Sequence, residues 1–216
     1  MTLTSTTHRL RACQTSDIPA IRDIAEHYVN NTVITLALEP PSDDDIAQSW
    51  GRSVAEGLPY IVAVDEQDAV LGFCSAGLFR GGGGRGGYRH TVELSLFCHP
   101  GHMKEGIGSA LLQKVIDILR APDQFPDFID TPRAEHSRVR AVLACMSIDE
   151  TMWKNGLGLR DFYVKHGFKE VGHMKNVGHK FDRWYAFWQP TLECDDMSGL
   201  TVLTRIDTLY LQFELW

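Results

Sequence analysis

Tyr88–Arg120 reads YRHTVELSLFCHPGHMKEGIGSALLQKVIDILR, and the rest of the chain is arranged around it. Thr91–Cys98 alternates and is rich in β-branched and aromatic residues, which predicts a strand. His99-Pro100-Gly101-His102 ends it, because Pro100 has no N–H to donate and Gly101 is free to take positive φ. From Gly106 onward Ile107, Ala110, Leu111, Val115, Ile118 and Leu119 recur at helical spacing, so strand, loop and amphipathic helix follow in sequence. The loop Lys104-Glu105-Gly106-Ile107-Gly108-Ser109 then sits at a helix N-terminus. It offers bare backbone N–H groups at the positive end of the helix dipole, with two glycines that let an anion come close. That is chemistry for a pyrophosphate. A dinucleotide fingerprint needs a third glycine where Leu111 stands, and a Walker loop needs Gly-Lys-Ser/Thr, so both fail here.

Composition narrows the function classes. The chain has 216 residues, 44% hydrophobic and 23% charged, which suits one globular α/β domain. A net charge of −7, a pI near 5.7 and the lack of a dense basic stripe argue against nucleic-acid binding. They leave an anionic cofactor open, since local N–H dipoles can hold its phosphates. No apolar run is long enough to span a membrane. Met1–His8 is polar, lacks a signal-peptide core and is expected to be disordered. The five Cys (Cys13, Cys74, Cys98, Cys145, Cys194) are scattered and form no C-x-x-C pair, which favours reduced thiols, a cytoplasmic protein and no metal site. His99 and His102 flank a turn and read as loop-packing histidines.

Along the chain, Leu10–Cys13 predicts a first strand. Thr15–Pro19 starts a helix through Val29 that buries Ile21, Ile24, Ala25 and Tyr28. Ser42-Asp43-Asp44-Asp45 caps a second helix. Tyr60–Val64 and Ala69–Ala76 form a hairpin across the polar turn 65–68. Residues 79–87 (FRGGGGRGG) are a glycine-rich loop, flexible or acting as a lid. Residues 121–138 carry three prolines and read as an inserted surface loop. Val139–Ile148 is a strand, and a helix ends at His166 with Gly167 as its left-handed cap. His90 either tunes Glu93 or caps the loop.

YRHTVELSLFCHPGH…GIGSALL resembles the core motif of the GNAT superfamily of N-acetyltransferases, its phosphinothricin-type branch in particular. IRDIAEHYVNNTVITLALEPPS (Ile21–Ser42), GFKEVG and VGHKFDRWYAFW (Val177–Trp188, a late strand segment) resemble that branch in the same order, so the likeness covers Leu10 to about Gln189. It implies an α/β (α+β) GNAT fold, with a central, mostly antiparallel mixed sheet flanked by helices and acetyl-CoA bound where the central strands splay. Residues 9–190 are then one catalytic domain and 191–216 a C-terminal extension of unknown role.

The resemblance also implies site residues. The loop from Met103 through Lys104, Glu105, Gly106, Ile107, Gly108 and Ser109 would hold the CoA phosphates. Met103 stands where the family pattern has Arg or Gln; Lys104 supplies a charge but no guanidinium fork, so CoA affinity is expected to be reduced and not abolished. On the strand Leu96, Phe97 and Cys98 face the cofactor, with Leu96 polarising the thioester carbonyl and Cys98 pairing with the pantetheine arm. Asn155 matches the pattern's Asn further on, and its Ser is replaced by Gly158 or Leu159. Leu36 occupies the position of an aromatic pocket wall, Arg85 (or Arg80) would meet a substrate carboxylate, and Tyr88 matches the tyrosine that follows.

Acetyl transfer to an amine needs a base for the ammonium proton and an acid for the leaving thiolate. Glu93 matches the branch's general base, and its apolar neighbours Val92, Leu94 and Leu96 are expected to raise its pKa by desolvation. Tyr163, four residues before Gly167-Phe168, is the expected acid. The implied activity is acetyl-CoA-dependent N-acetylation of a small amino acid or analogue such as phosphinothricin or methionine sulfoximine, with homodimers common among relatives. Three alternatives stay open: another amine such as a polyamine or protein N-terminus, a non-catalytic acyl-CoA-binding module, and a nucleotide-binding module.

Overall fold

A computed structural model describes residues 7–81, 86–149 and 156–193. Most of the expected disordered N-terminus, Arg85, Asn155 and residues 194–216 of the C-terminal extension lie outside the described residues. In chain order the elements are β1 (Arg9–Ala12), α1 (Ile18–Asn31), α2 (Asp43–Ala55), β2 (Tyr60–Val64), β3 (Val70–Leu78), β4 (Thr91–Cys98), α3 (Ile107–Arg120), β5 (Ala141–Ala144), β6 (Met146–Ile148), α4 (Gly158–Lys165), β7 (Lys169–Lys180) and β8 (Arg183–Glu193). β1 through β4 are antiparallel neighbours, β4 runs parallel to β5, and β8 pairs antiparallel with β5, β6 and β7. The result is the expected mixed, mostly antiparallel sheet, with eight strands.

Alternation along the strands builds two cores. In β2, Tyr60, Val62 and Val64 point to the face covered by α1 and α2, where they meet Ile21, Ile24, Tyr28 and Ile46. Ile61 and Ala63 point to the other face and join Leu111, Leu112 and Val115 of α3. Pro in its first turn and the buried pair Arg11–Asp17, joined at 2.6 and 2.8 Å, set the start of α1. α2 opens on a capping box in which Ser42 and Asp45 satisfy each other's backbone N–H, as the acidic cap predicts.

The structure departs from the sequence reading in four places. The strand expected over Val139–Ile148 breaks at Cys145; β5 pairs with both β4 and β8, whereas β6 pairs with β8 alone. Val177–Trp188 is a hairpin and not one strand, turning at Phe181-Asp182 with φ of 49° and 57°. Two positive φ values in sequence make the primed turn whose twist suits a hairpin. β8 continues to Glu193, opposite Ala141, so the domain extends past residue 190. The inserted segment 121–138 is anchored: Ile129 is buried, and Arg133 donates to the carbonyls of Glu56, Arg89 and Ser137.

α4 ends in a Schellman motif. Phe168 N–H donates to Tyr163 O at 3.1 Å, Gly167 N–H to Val164 O at 3.0 Å, and Gly167 has φ of 88°. The apolar contact that accompanies this motif is Tyr163 against Phe168, ring centroids 5.1 Å apart. The cap therefore fixes the ring of the candidate acid. Gly167→Ala, which places a Cβ in the left-handed region, is expected to lower stability by about 1–2 kcal/mol in a urea melt. An unchanged midpoint would show that the cap does not depend on this conformation.

Candidate active site

The site starts where the β4–β5 ladder stops. Its last pair is Leu94 with Ala144; beyond it β4 runs on to Cys98, held on its other edge by β3, while the chain leaves β5 at Cys145. His99 N–H donates to Leu71 O of β3 at 2.8 Å. By alternation the backbone groups of Phe97 and Ser95 also point to β3, and those of Leu96 and Cys98 point into the opening. Tyr28 of α1 confirms the direction, its hydroxyl donating to Cys98 O at 2.8 Å. That carbonyl retains a second lone pair.

The loop after β4 is built for a bare helix start. Gly106 is the N-cap of α3 with φ of 85°, and the first helical bond runs from Ala110 N–H to Gly106 O at 3.0 Å. The N–H groups of Ile107, Gly108 and Ser109 thus have no partner within the helix. Gly106 is favoured for its left-handed φ and not for space, since a Cβ there would meet nothing within 4 Å; at Gly108 a Cβ would stand 3.3 Å from Cys98 Sγ, a tight contact. Lys104 also takes positive φ, at 68°. Met103 is half-exposed, its sulfur 3.5 Å from the Tyr28 hydroxyl. Glu105 and His102 pair at 3.2 Å, and His99 accepts from Gly101 N–H. An open strand edge and a helix start of free N–H groups, side by side, fit a pantetheine arm and a pyrophosphate.

Beside the opening lies a cleft of about 210 Å³ lined by Glu93, Tyr163, Cys145, Leu36, Thr35 and Leu96, among others. Glu93 is half-buried and stands opposite Gly77 of β3, where a Cβ would meet nothing, so there is room beside the carboxylate. Tyr163 is buried, and burial pushes its phenol well above the ordinary value. Cys145 occupies the break between β5 and β6; its thiol is pushed up to about 12, by burial first and then by the charge and hydrogen bond of Glu93. The roof is the segment after α1. Lys180, almost fully buried, donates to Thr35 O at 2.8 Å, and burial lowers its pKa; Leu36 presses on Gly178, where a side chain would collide with it.

The structure thus brings Glu93, Tyr163, Leu36 and Leu96 to one cleft. Tyr88 is not among its lining residues: its ring lies edge-on to Phe79 at 5.4 Å, with the Arg80 guanidinium 5.7 Å away. His90 resolves as an anchor, its Nδ1 2.7 Å from Arg138 O. Sequence reading missed Cys145, Gly178 and Lys180. The last two lie inside VGHKF at a spacing of two, which places them on one face of a strand.

A model of the acetyltransferase (GNAT) family matches residues 21–131, more than half of the chain. The chain belongs to the GNAT acetyltransferase family. It is similar to the phosphinothricin N-acetyltransferase of Alcaligenes faecalis, with 29% identity over 81% of this chain and 77% of that one. It is 31% identical to the L-methionine sulfoximine/L-methionine sulfone acetyltransferase of Pseudomonas paraeruginosa, over 81% and 88% of the two chains. Among solved structures, a GNAT superfamily phosphinothricin acetyltransferase from Sinorhizobium meliloti in complex with acetyl-CoA superposes with a TM-score of 0.70 at 28% identity, over 87% of this chain and 88% of that one. The fold, the enzyme class and acetyl-CoA as co-substrate, expected from the resemblance, are borne out. Among the described residues no helix is long and apolar enough to cross a membrane.

The buried thiols give a test of the burial described. Burial raises Cys13 to about 12 and Cys98 to about 11, and also raises the fully buried Cys74. An unfolded thiol ionises near roughly 8.5. Between about pH 9 and 11 the unfolded state therefore holds fewer protons, and stability falls as pH rises, by up to about 1.4 kcal/mol per unit for each thiol. Lys180, with its lowered pKa, acts the other way but is a single group. Urea midpoints measured at pH 8, 9 and 10 are expected to decline steadily; a flat series would mean that the thiols are open to solvent.

Proposed function

We propose that this acetyltransferase acts on the primary amine of a small, carboxylate-bearing amino acid or analogue, with Glu93 as general base and Tyr163 as general acid. The observation that carries the reading is that one small cleft, opening where β4 and β5 part, is lined by both residues. The named relatives act on phosphinothricin and on methionine sulfoximine or sulfone, all α-amino acids. Acetyl-CoA supplies the activated acyl group. Glu93 removes a proton from the acceptor ammonium, the free amine attacks the thioester carbonyl, and the carbon–sulfur bond breaks. Tyr163, kept protonated by burial, gives its proton to the departing sulfur, and the nitrogen sheds its second proton as the amide forms, which restores the phenol. Leu96 offers its N–H on the open edge to the carbonyl oxygen, and the Ile107–Ser109 N–H groups receive the pyrophosphate.

Arg85 as the carboxylate partner rests on the resemblance. A cytoplasmic location is in keeping with the scattered thiols. Exposed Val171, Met174, Val177 and Trp184 on the β7–β8 hairpin favour a homodimer.

The test is thiol release from acetyl-CoA against free amino acids, phosphinothricin and methionine sulfoximine. Glu93→Gln and Tyr163→Phe are each expected to lower kcat about 10²–10⁴-fold, with the KM for acetyl-CoA little changed. Turnover undiminished in Glu93→Gln would remove the base assignment; turnover only with amines lacking a carboxylate would remove the acceptor class.

A further inference from the structure

Two chambers open off the catalytic cleft, and they differ in charge. One, of about 460 Å³, shares Ile34, Ser147 and Leu159 with the cleft and carries both signs, Asp149 and Arg183. The other, of about 530 Å³, shares Thr35, Ser95 and Phe97 with it. Among the described residues the charged lining of this second chamber is two exposed carboxylates, Glu39 and Asp45, with no cation. Neither makes an ion pair among the described residues. Asp45 uses one oxygen, Oδ2, to accept from Ser42 in the cap of α2, which leaves the other for a ligand.

Two exposed carboxylates alone are an ordinary solvated rim, but the floor beneath them is unusual. By strand register Tyr60, Ser75 and Ser95 are cross-strand neighbours on β2, β3 and β4, and Ser95 shares a face of β4 with Glu93, two residues away. All three line the chamber. Tyr60 and Ser75 are more than nine-tenths buried, yet neither hydroxyl has a hydrogen-bond partner among the described residues. The short Ser75 side chain stands off the sheet into the chamber it lines, and a ligand's donor would satisfy its oxygen. Aromatic rings run beside the hydroxyls: the Tyr60 and Phe73 centroids are 6.0 Å apart, those of Phe73 and Phe97 5.4 Å. Ring faces, hydroxyl oxygens and carboxylates all attract a cation.

We infer that this chamber receives the far end of a dibasic acceptor, an α-amino acid whose side chain carries a second, cationic group, such as lysine or ornithine. The α-amine lies at Glu93 and the methylenes follow the rings of Phe97 and Phe73. The side-chain ammonium lies between the Ser75 and Ser95 hydroxyls and the carboxylates of Glu39 and Asp45. Neighbouring strands stand about 4.8 Å apart and alternate residues about 6.7 Å, so Ser75 is roughly 8 Å from Glu93 along the sheet, a span that three or four methylenes bridge. Phosphinothricin, whose side chain ends in an anion, would be repelled by the same two carboxylates. The inference rests on the acceptor class proposed above and narrows it.

The experiment compares kcat/KM for lysine, ornithine, norleucine (lysine without its side-chain amine), glutamate and phosphinothricin, and locates the acetyl group on each product by NMR. Wild type, Ser75→Ala and the double variant Glu39→Gln/Asp45→Asn are measured; Asn at 45 keeps an oxygen for the Ser42 N–H, so α2 stays capped. Each exposed carboxylate is worth a few-fold, so wild type is expected to favour lysine and ornithine about tenfold over norleucine, and by more over glutamate and phosphinothricin. The double variant is expected to bring the ratio of lysine to norleucine to about one, whereas a merely structural defect would lower both rates and leave the ratio. Ser75→Ala is expected to raise the KM for lysine about threefold without lowering the melting temperature. Lysine is expected to be acetylated at its α-nitrogen. A wild-type preference for norleucine, glutamate or phosphinothricin, an unchanged ratio in the double variant, or acetylation at the side-chain nitrogen would overturn the chamber assignment and leave the acetyltransferase reading intact. No turnover with any amino acid would remove both.

Discussion

Every part of the site follows from one interruption, the end of the parallel ladder at Leu94 and Ala144. A sheet whose strands separate in its middle exposes backbone N–H and C=O groups that must find partners elsewhere. β8 keeps the sheet whole by following both β5 and β6 across the break at Cys145, so the opening lies on the β4 side only. The exposed edge of β4 is then a place for an extended polar chain to dock as a strand would. α3 sits beside it because Gly108 lets the helix approach Cys98 closely, and that closeness puts the free N–H groups of the first helical turn next to the open edge. Strand edge and anion cradle belong to one piece of geometry.

The acceptor side is assembled differently, from segments far apart in the chain. The loop after α1 would not by itself be held over the cleft, since residues 32–37 have no regular structure. Lys180 reaches it from the end of β7. A nearly fully buried lysine is unfavourable on desolvation grounds, which is why its pKa falls, and the bond it donates to Thr35 O recovers part of that loss. Gly178, one alternation earlier on the same face, leaves the space that Leu36 fills. The hairpin's turn at Phe181-Asp182 brings β8 back alongside, so that Arg183 and Tyr185 line the same side chamber as Ile34.

Local signals in the sequence were enough for what depends on local physics. β4, α3, the capping box at Ser42 and the Gly167 cap appear where period and cap chemistry place them, because neighbouring residues determine each. Glu93 and Tyr163 reached one cleft through the family likeness, since nothing in either segment alone says that they meet. The breaks were not legible. VRAVLACMSI reads as one strand because β-propensity reports on side chains, whereas the interruption at Cys145 arises from a neighbour diverging. KFDRW reads as a strand because Phe-Asp lacks the Asn-Gly or Asp-Gly chemistry that usually marks a primed turn, and Phe181 and Asp182 take positive φ only because the paired arms impose it. The packing of Tyr88 on Phe79 was not legible either, because the two residues are nine apart and no local pattern joins them.

The placement of Cys145 poses a chemical problem that the structure also answers. A thiolate next to a thioester would compete with the amine for the acetyl group. The thiolate, not the thiol, is the nucleophile, so the hazard scales with ionisation. Burial and the carboxylate of Glu93 both disfavour the thiolate, keeping Cys145 protonated at neutral pH, and Cys98 on the opposite lip is held protonated by burial as well. Burial likewise keeps Tyr163 protonated, as its proposed role of acid requires. One environmental property, the burial of these side chains, thus suppresses the competing nucleophile and suits the proposed acid.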